Sequence, residues 1–322
     1  MSLRKFKAGD WKKAVSLWNR TLWFDRIWED LFLEQLLLDP NFDPDGFWVV
    51  EENGELKAAA IGWVRVAHLP LGIEPLGTDN KVEEDKDKGF LCPLLIEDSS
   101  EGIAHGQALL NVMEEYFRER KRKTIFTRGI GPSIFLNGVD KNIYPGLYRL
   151  HVDNGYKVLH THYSMRADLR GFRIEDRIKE RIAALEKDKI TFHPYNPDDL
   201  LSIREYFLKE FRSTMSTFKD KLRMKAPYDE FMIVKKDSQV VGYCQYNYYG
   251  QPERVGPFGV AQSMRGHKVG QAMVAKLLEA MTRKGYQMAY FNYCTEENVK
   301  FYAKNGFTVF GEKSMLQKEL QP

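Results

Sequence analysis

Residues 256–278 read GPFGVAQSMRGHKVGQAMVAKLL, where an apolar segment leads through a glycine-containing turn into apolar residues at helical spacing. This pattern predicts a strand, a turn and a helix, in that order. At such a turn, successive backbone N–H groups point out of the first helical turn at the positive end of the helix dipole. These donors suit a diphosphate, and glycine lets the backbone approach it closely. A tight turn without a ligand fits the same pattern, so the flanking sequence must distinguish a phosphate-binding turn from a purely structural one.

An internal repeat sets the number of domains. Each half of the chain has a strand–turn–strand segment, then a glycine turn with a Gly-Gln-Ala sequence, then Asn-Gly followed by an aromatic residue. In order, the matching segments are 47–58 with 231–242, 101–110 with 265–274, and 153–156 with 304–307. Three matches in the same order predict two domains of one architecture.

The repeat predicts an N-terminal domain over 1–168 and a C-terminal domain over 189–322. Between them, residues 169–188 are charged and helical in pattern, which predicts a linker helix. Each half alternates strands and helices, so the predicted fold class is α/β, with mixed α+β layers.

The sequence after the turn gives the pattern a specific context. A strand at 286–292 is followed by NVKFYAKNGF at 298–307 and a further strand. With Arg265 first and Gly270 last, the loop resembles the acyl-CoA loop Gln/Arg-x-x-Gly-x-Gly/Ala of the GNAT (N-acetyltransferase) superfamily. The 298–307 segment resembles the closing helix of that family. The likeness extends over nearly all of both halves and indicates the tandem, mycothiol synthase-like type, in which each domain is a twisted, mixed, mainly antiparallel sheet flanked by helices.

The resemblance implies an N-acetyltransferase that moves an acetyl group from acetyl-CoA to an amine of a small molecule or peptide, directly in a ternary complex, leaving coenzyme A. It implies that Tyr302 protonates the departing thiolate. The resemblance implies that the cofactor is held by the backbone of two segments. These are the strand Phe258, Gly259 and Val260, and the loop Arg265, Gly266, His267, Lys268, Val269, Gly270, Gln271 and Ala272. For the general base, Glu253, Glu230 and a water-mediated base all stay open.

Departures from the family pattern distinguish the two halves. Lys268 stands where the family has its first loop glycine, and Thr295 where many members have asparagine. In the N-terminal half, Glu101 replaces the leading Arg/Gln, so its negative charge would oppose a diphosphate. The position of Tyr302 is there taken by His151. We therefore expect the C-terminal domain to be catalytic and the N-terminal domain to be degenerate.

Composition excludes other classes of function. The 322 residues include 48 lysines and arginines and 45 aspartates and glutamates, mixed along the chain, for a net charge of +3. Without a basic face we expect no nucleic-acid partner. Three cysteines without a Cys-x-x-Cys spacing predict no disulfide framework and a cytoplasmic location. No apolar run approaches the roughly 18 residues of a membrane span, so we expect no membrane partner.

We also predict no metal. Residues 41–52 have the spacing of a calcium loop, but Pro44 lies inside it and a strand pattern follows, so a turn before a strand is the better interpretation. His160 and His162 share one strand face without an evident third ligand. Two other functions stay open: a non-catalytic acyl-CoA sensor and a tRNA-dependent aminoacyl transferase. The sequence identifies neither the amine acceptor nor the oligomeric state.

Overall fold

A computed structural model describes residues 1–66, 81–130, 136–248 and 250–321. The strands are β1 (Ser2–Lys5), β2 (Phe47–Glu52), β3 (Glu55–Trp63), β4 (Lys88–Leu95), β5 (Thr124–Phe126), β6 (Val139–Asp140), β7 (Lys157–Asp168), β8 (Ile190–Pro194), β9 (Phe231–Lys236), β10 (Gln239–Gln245), β11 (Phe258–Val260), β12 (Met288–Phe291) and β13 (Thr308–Glu319). The helices are α1 (Trp11–Thr21), α2 (Glu29–Phe32), α3 (Lys81–Glu84), α4 (Ser100–Glu119), α5 (Pro145–Asp153), α6 (Asp176–Lys187), α7 (Leu200–Glu210), α8 (Thr214–Arg223), α9 (Val269–Arg283) and α10 (Glu296–Ala303). No helix among these residues is long and apolar enough to cross a membrane.

The chain forms two compact units. Unit 1 contains Met1–His162 and Gly311–Pro322, and unit 2 contains Tyr163–Phe310. Each has its own buried apolar core. Both units are mixed α/β layers with a mainly antiparallel sheet, so the predicted fold class is confirmed.

The sheet of unit 1 runs in the order β1, β2, β3, β4, β5, β13, and β6 also pairs with β13. All of these pairs are antiparallel except β4 with β5. The predicted Asn53-Gly54 turn joins β2 to β3, and both residues have positive φ, 50° and 78°. Two adjacent residues of positive φ match the right-handed twist of the flanking strands, which explains this choice of residues.

The turn before β2 also fits its prediction. A short 3₁₀ turn at Pro44–Gly46 leads directly into the strand. The side chain of Asp43 accepts a hydrogen bond from the Asp45 amide and another from the Tyr116 hydroxyl, at 2.9 and 3.0 Å. It also contacts Arg120. The carboxylate of Asp43 therefore helps to fix this turn.

Unit 2 contains the four-stranded antiparallel sheet β11-β10-β9-β8. Strand β12 also belongs to unit 2, where it pairs antiparallel with residues 165–168 of β7. Helix α9 buries one face in the core of this unit, including Met273 and Leu278.

The compact units do not follow the predicted domain boundaries. Helix α6, predicted as a linker, contributes Ile178, Ile182 and Leu185 to the core of unit 2. The end of β13, predicted in the C-terminal domain, belongs to unit 1, where the backbone N–H and C=O of Leu316 hydrogen-bond the hydroxyl and amide of Thr127. Sequence periodicity identifies a strand but not its partner, which explains the difference.

Candidate acyl-CoA site in unit 2

Two neighbouring strand segments of unit 2 diverge after residue 255. Up to that point the chain pairs with β12: the Val255 amide donates to the Tyr290 carbonyl at 2.8 Å, and the Tyr290 amide donates to the Glu253 carbonyl at 3.0 Å. Three residues later, β11 pairs with β10 instead. Strands β11 and β12 end two different sheets. The backbone therefore opens a wedge-shaped gap between them.

A cavity of about 370 Å³ lies at this gap, and we call it the wedge cavity. Its walls come from the end of β10, the segment before β11, one face of α9, the end of β12 and the closing helix α10. The lining residues are Cys244, Tyr248, Arg254, Val255, Gly256, Pro257, Phe258, Val274, Leu277, Leu278, Phe291, Asn292, Tyr293, Tyr302 and Phe307. A mostly aromatic and aliphatic wall with a few polar groups is typical of a small-molecule site.

Strand β11 offers backbone hydrogen-bonding groups to the wedge. The Ala261 amide donates to the Val241 carbonyl at 2.8 Å, so Ala261 faces β10. Successive residues of a strand direct their N–H and C=O groups to opposite edges, so Gly259 also faces β10. Phe258 and Val260 then face the wedge. Gly259 has a separate reason to be glycine: a Cβ there would lie 2.4 Å from the ring of Phe211.

The glycine turn forms the N-terminus of α9. Lys268 precedes the helix with φ of 65°, in the left-handed region, and Gly266 has φ of 82°. The Ala272 amide donates to the carbonyl of Lys268, the residue that precedes the helix, at 3.3 Å. Residues 265–268 are exposed, and the Arg265 amide donates to the Gln262 carbonyl at 3.2 Å.

The remaining loop residues anchor this helix end. Val269 and Ala272 are completely buried, while Gly270 and Gln271 are half-buried. A Cβ on Gly270 would lie 3.3 Å from the ring of Phe301 and 3.4 Å from that of Phe258. Glycine at 270 therefore lets α9 approach the aromatic cluster, whereas the left-handed turn is made at 266 and 268.

Tyr302 lies on α10 within that aromatic cluster. Its ring centroid is 4.5 Å from Phe291, 5.7 Å from Phe307 and 5.9 Å from Phe258. The side chain lines the wedge cavity, and its hydroxyl makes no hydrogen bond with the described protein groups. Burial, followed by the nearby Cys294 and Cys244 thiols, raises the pKa of Tyr302. The phenol is therefore protonated at neutral pH and can donate a proton inside the cavity.

Cys244 also lines the cavity, and a cysteine thiolate can act as a nucleophile. Burial raises the pKa of its thiol well above the usual range. Since the thiolate is the reactive form, this cysteine is not a nucleophile at neutral pH. Burial raises the pKa of Cys294 to about 11 as well.

Neither carboxylate considered as a general base lines the wedge cavity. Glu230 is buried and ion-paired with the buried Lys221 at 2.6 Å. Glu253 accepts hydrogen bonds from the amides of Gln287 and Met288, at 3.3 and 3.2 Å. Both side chains stabilise local structure, and the base remains unassigned.

The matching positions in unit 1 differ in the chemistry of the side chain and in the size of the cavity beside it. His151, which takes the place of Tyr302, is buried, and one ring nitrogen lies 2.9 Å from the Leu147 carbonyl oxygen. Burial lowers the pKa of His151 to about 4, so the ring is neutral. The cavity beside it measures only about 20 Å³, room for a single water molecule.

The start of α4 in unit 1 is closed by its own chain. The Ser99 hydroxyl accepts a hydrogen bond from the Gly102 amide at 3.0 Å, and a Cβ on Gly102 would lie 2.1 Å from the Glu97 carbonyl oxygen. In the same region, Glu52, Glu101 and His105 have side-chain oxygen and nitrogen atoms within 4.8 Å of one another. His105 Nε2 lies 3.5 Å from Glu52 Oε1.

Comparisons with known proteins identify a family for part of the chain and a fold for the whole. Residues 227–309 match the family model of the acetyltransferase (GNAT) domain. No curated protein matches the chain at a significant level. A solved structure of a GCN5-related glucosamine N-acetyltransferase region, from a fungal multi-domain β-N-acetylglucosaminidase, superimposes with a TM-score of 0.74 at 16% identity; the match covers 98% of this chain but 38% of that one.

Two further solved structures match along their whole length. One is a GCN5-related N-acetyltransferase from Sphaerobacter thermophilus, with a TM-score of 0.66 at 14% identity, covering 100% of this chain and 96% of that one. The other is a tandem GNAT protein from the clavulanic acid biosynthesis pathway, also with a TM-score of 0.66 at 14% identity, covering 100% and 99%. The family match is confined to residues 227–309, and the chain as a whole has the fold of these solved structures, one of which is a tandem GNAT protein.

Proposed function

We propose that the protein transfers an acetyl group from acetyl-CoA to an amine of a small molecule or peptide, and that the reaction takes place in the wedge cavity. The observation that carries this proposal is the cavity of about 370 Å³ between two diverging strands, with the Tyr302 side chain in its wall. By the same reasoning, the C-terminal domain over 189–322 is catalytic, and the N-terminal domain over 1–168 has lost its cofactor.

Coenzyme A would bind along β11. Its pyrophosphate would accept hydrogen bonds from backbone N–H groups of residues 266–270, where the helix dipole is positive. Charge-assisted bonds of this kind contribute roughly 1.5–3 kcal/mol each. The pantetheine amides would pair with the backbone groups of Phe258 and Val260 that face the wedge, as an extra strand would. Arg265 and Lys268 add positive charge beside the phosphates.

The chemical step needs no covalent enzyme intermediate. The neutral amine of the acceptor attacks the thioester carbonyl carbon, the new C–N bond forms, and the C–S bond breaks. The leaving thiolate takes the proton of the Tyr302 hydroxyl, and the proton lost by the amine returns to that oxygen through solvent. The raised pKa of the Cys244 thiol supports this direct transfer, because the cavity offers no thiolate that could accept the acetyl group.

The acceptor belongs to the amines, and an amino sugar is one candidate, because the fungal structural relative is described as a glucosamine N-acetyltransferase region. The three cysteines are free and buried. This favours a reducing compartment, so we assign the reaction to the cytoplasm.

The test is steady-state release of coenzyme A thiol from acetyl-CoA across a panel of amino sugars, amino acids, polyamines and peptides. Direct transfer predicts intersecting double-reciprocal lines for the two substrates and full activity in Cys244→Ala. Parallel lines, with loss of activity in that variant, would instead indicate an acetyl-cysteine intermediate.

The other two functions give different results in the same experiment. A sensor would show thermal stabilisation by acetyl-CoA without turnover on any amine. A tRNA-dependent aminoacyl transferase would be inactive with acetyl-CoA and active with charged tRNA.

A further inference from the structure

The wedge cavity carries one charged side chain among its described lining residues, that of Arg254. A guanidinium is a cation with five N–H donors and no acceptor. Burial raises the pKa of two other ionisable lining side chains, Tyr302 and Cys244, which favours their neutral forms. The cavity wall is therefore cationic, although the amine acceptors of an acetyltransferase are themselves usually cations in water.

The position of Arg254 is set by two local contacts. Its backbone forms a parallel bridge with Tyr290, and its carbonyl accepts a hydrogen bond from the Tyr248 amide at 3.1 Å. The guanidinium lies over the ring of Tyr248, 5.1 Å from the centroid. The side chain is half-buried. An arginine held over an aromatic ring is pre-organised for planar recognition of a carboxylate.

Arg254 lies at the end of the cleft away from the pyrophosphate loop. The chain runs from Arg254 through the wedge residues 258–260 to the loop 265–270. If the pyrophosphate binds at that loop and the pantetheine follows β11, the thioester and the acceptor meet near the Arg254 end. This step rests on the proposed function.

We propose that Arg254 binds a carboxylate of the substrate. The reaction would then use either an amine acceptor that carries a carboxylate, such as an amino acid, or an acyl-CoA whose acyl chain ends in a carboxylate. In a partly desolvated aromatic wall, a guanidinium–carboxylate pair is screened less than in water. The same positive charge disfavours a nearby ammonium and lowers the pKa of the incoming amine, which favours its neutral, nucleophilic form. That effect reduces the need for a strong base in a cavity where the described lining includes no acidic side chain.

The experiment compares matched substrates that differ only in the carboxylate. The acceptor arm uses phenylalanine and phenethylamine with acetyl-CoA. The donor arm uses succinyl-CoA and acetyl-CoA with phenethylamine. Each pair is measured with the wild type, Arg254→Gln, Arg254→Lys and the control Arg283→Gln, which changes an exposed arginine at the end of α9.

We expect the anionic member of one arm to be preferred by the wild type. In Arg254→Gln, the ratio of kcat/KM values, anionic over neutral, should fall in that arm on the order of 10- to 100-fold, as for loss of a charge-assisted pair. Arg254→Lys should give an intermediate ratio, because it keeps the charge and loses the planar fork. Arg283→Gln should leave the ratio unchanged. The arm that responds identifies which reactant carries the carboxylate.

Equal ratios for wild type and Arg254→Gln in both arms would overturn the proposal while leaving the acetyltransferase function intact. No turnover with any pair, at unchanged thermal stability, would instead reject the proposed function itself. If Arg254→Gln does not fold, the wild-type ratios decide: a preference for the neutral member in both arms contradicts the proposal.

Discussion

Replacing Tyr302 with phenylalanine isolates the proposed proton donor. The change removes one oxygen whose hydroxyl has no hydrogen-bond partner among the described protein groups. The ring keeps its contacts with Phe291, Phe301 and Phe307, at 4.5, 5.0 and 5.7 Å between centroids. We therefore expect thermal stability and acetyl-CoA affinity to stay close to those of the wild type.

The expected effect is on the rate of the chemical step. A positioned general acid contributes typically 10²–10⁴-fold, so kcat should fall by about 10²-fold or more, or about 3 kcal/mol of activation free energy. Single-turnover thiol release with excess enzyme measures this step without product release. Since burial raises the pKa of Tyr302, its proton should be retained throughout the working range, and no loss of activity below pH 9 should trace to this residue.

The matched control is Tyr206→Phe. Tyr206 is buried in unit 2, its hydroxyl also has no hydrogen-bond partner in the described structure, and it does not line the wedge cavity. It should keep wild-type rates. A threefold or smaller loss of kcat in Tyr302→Phe, or an equal loss in both variants, would refute the assignment of Tyr302 as the acid.

Three further predictions concern the loop, the buried ion pair and unit 1. Lys268→Gly should raise the free energy of unfolding by about 1 kcal/mol, because glycine adopts φ of 65° without the cost of a Cβ; denaturant melts measure this change. If the lysine contacts phosphate, the acetyl-CoA dissociation constant should also rise, which calorimetry measures. Glu230→Gln should destabilise the protein by about 3–5 kcal/mol, because it leaves Lys221 buried without its charge partner, while kcat of the folded fraction stays unchanged; a normal melt with a large loss of kcat would instead make Glu230 the base. Burial lowers the pKa of His151 to about 4 from an ordinary 6.5. As the pH falls, His151 is therefore protonated in the unfolded chain before it is protonated in the folded protein. The stability that is present above pH 6.5 is lost progressively down to about pH 4. The two pKa values differ by about 2.5, which corresponds to about 3 kcal/mol, and His151→Phe should remove that part of the acid destabilisation in melts between pH 7 and 4.

Local features of the fold follow from the sequence, because nearest neighbours along the chain decide them. The Asn53-Gly54 pair predicts the β2–β3 hairpin through its positive φ angles. The change from strand to helical periodicity near Val269 predicts the start of α9, and the helix begins there. The repeated order of these signals predicts two folds in tandem, and the structural comparisons confirm it.

The partners of the last strand of each half do not follow from the sequence. Both β7 and β13 are long strands of similar pattern, and each contributes residues to both units. Which edge accepts them depends on contacts distant in sequence, such as Asp140, whose carboxylate accepts a hydrogen bond from the Glu312 amide at 2.7 Å. A chain beginning at residue 189 would therefore lack the residues of β7 that pair with β12 and the apolar side of α6.

The predicted site residues do not all line the cavity, and their roles stay predictions. Phe258 of the strand and Tyr302 line the wedge cavity, whereas none of residues 259–272 is among its lining residues; the sequence carries no signal for the size of that cavity or for the small one beside His151. The role of Gly270 is also a matter of packing: its missing Cβ accommodates Phe301 and Phe258, which are distant in sequence. Arg254 has no motif around it, and only the three-dimensional structure brings it into the cavity wall.

Hydrogen exchange of the whole protein, with and without coenzyme A, tests the central claim most directly, because it observes the amides thought to hold the cofactor. We predict that coenzyme A slows exchange in the segments containing residues 258–260 and 265–271, while residues 97–106 in unit 1 exchange at the same rate as before. Protection at 97–106, or unchanged exchange at 265–271 under saturating coenzyme A, would contradict the account.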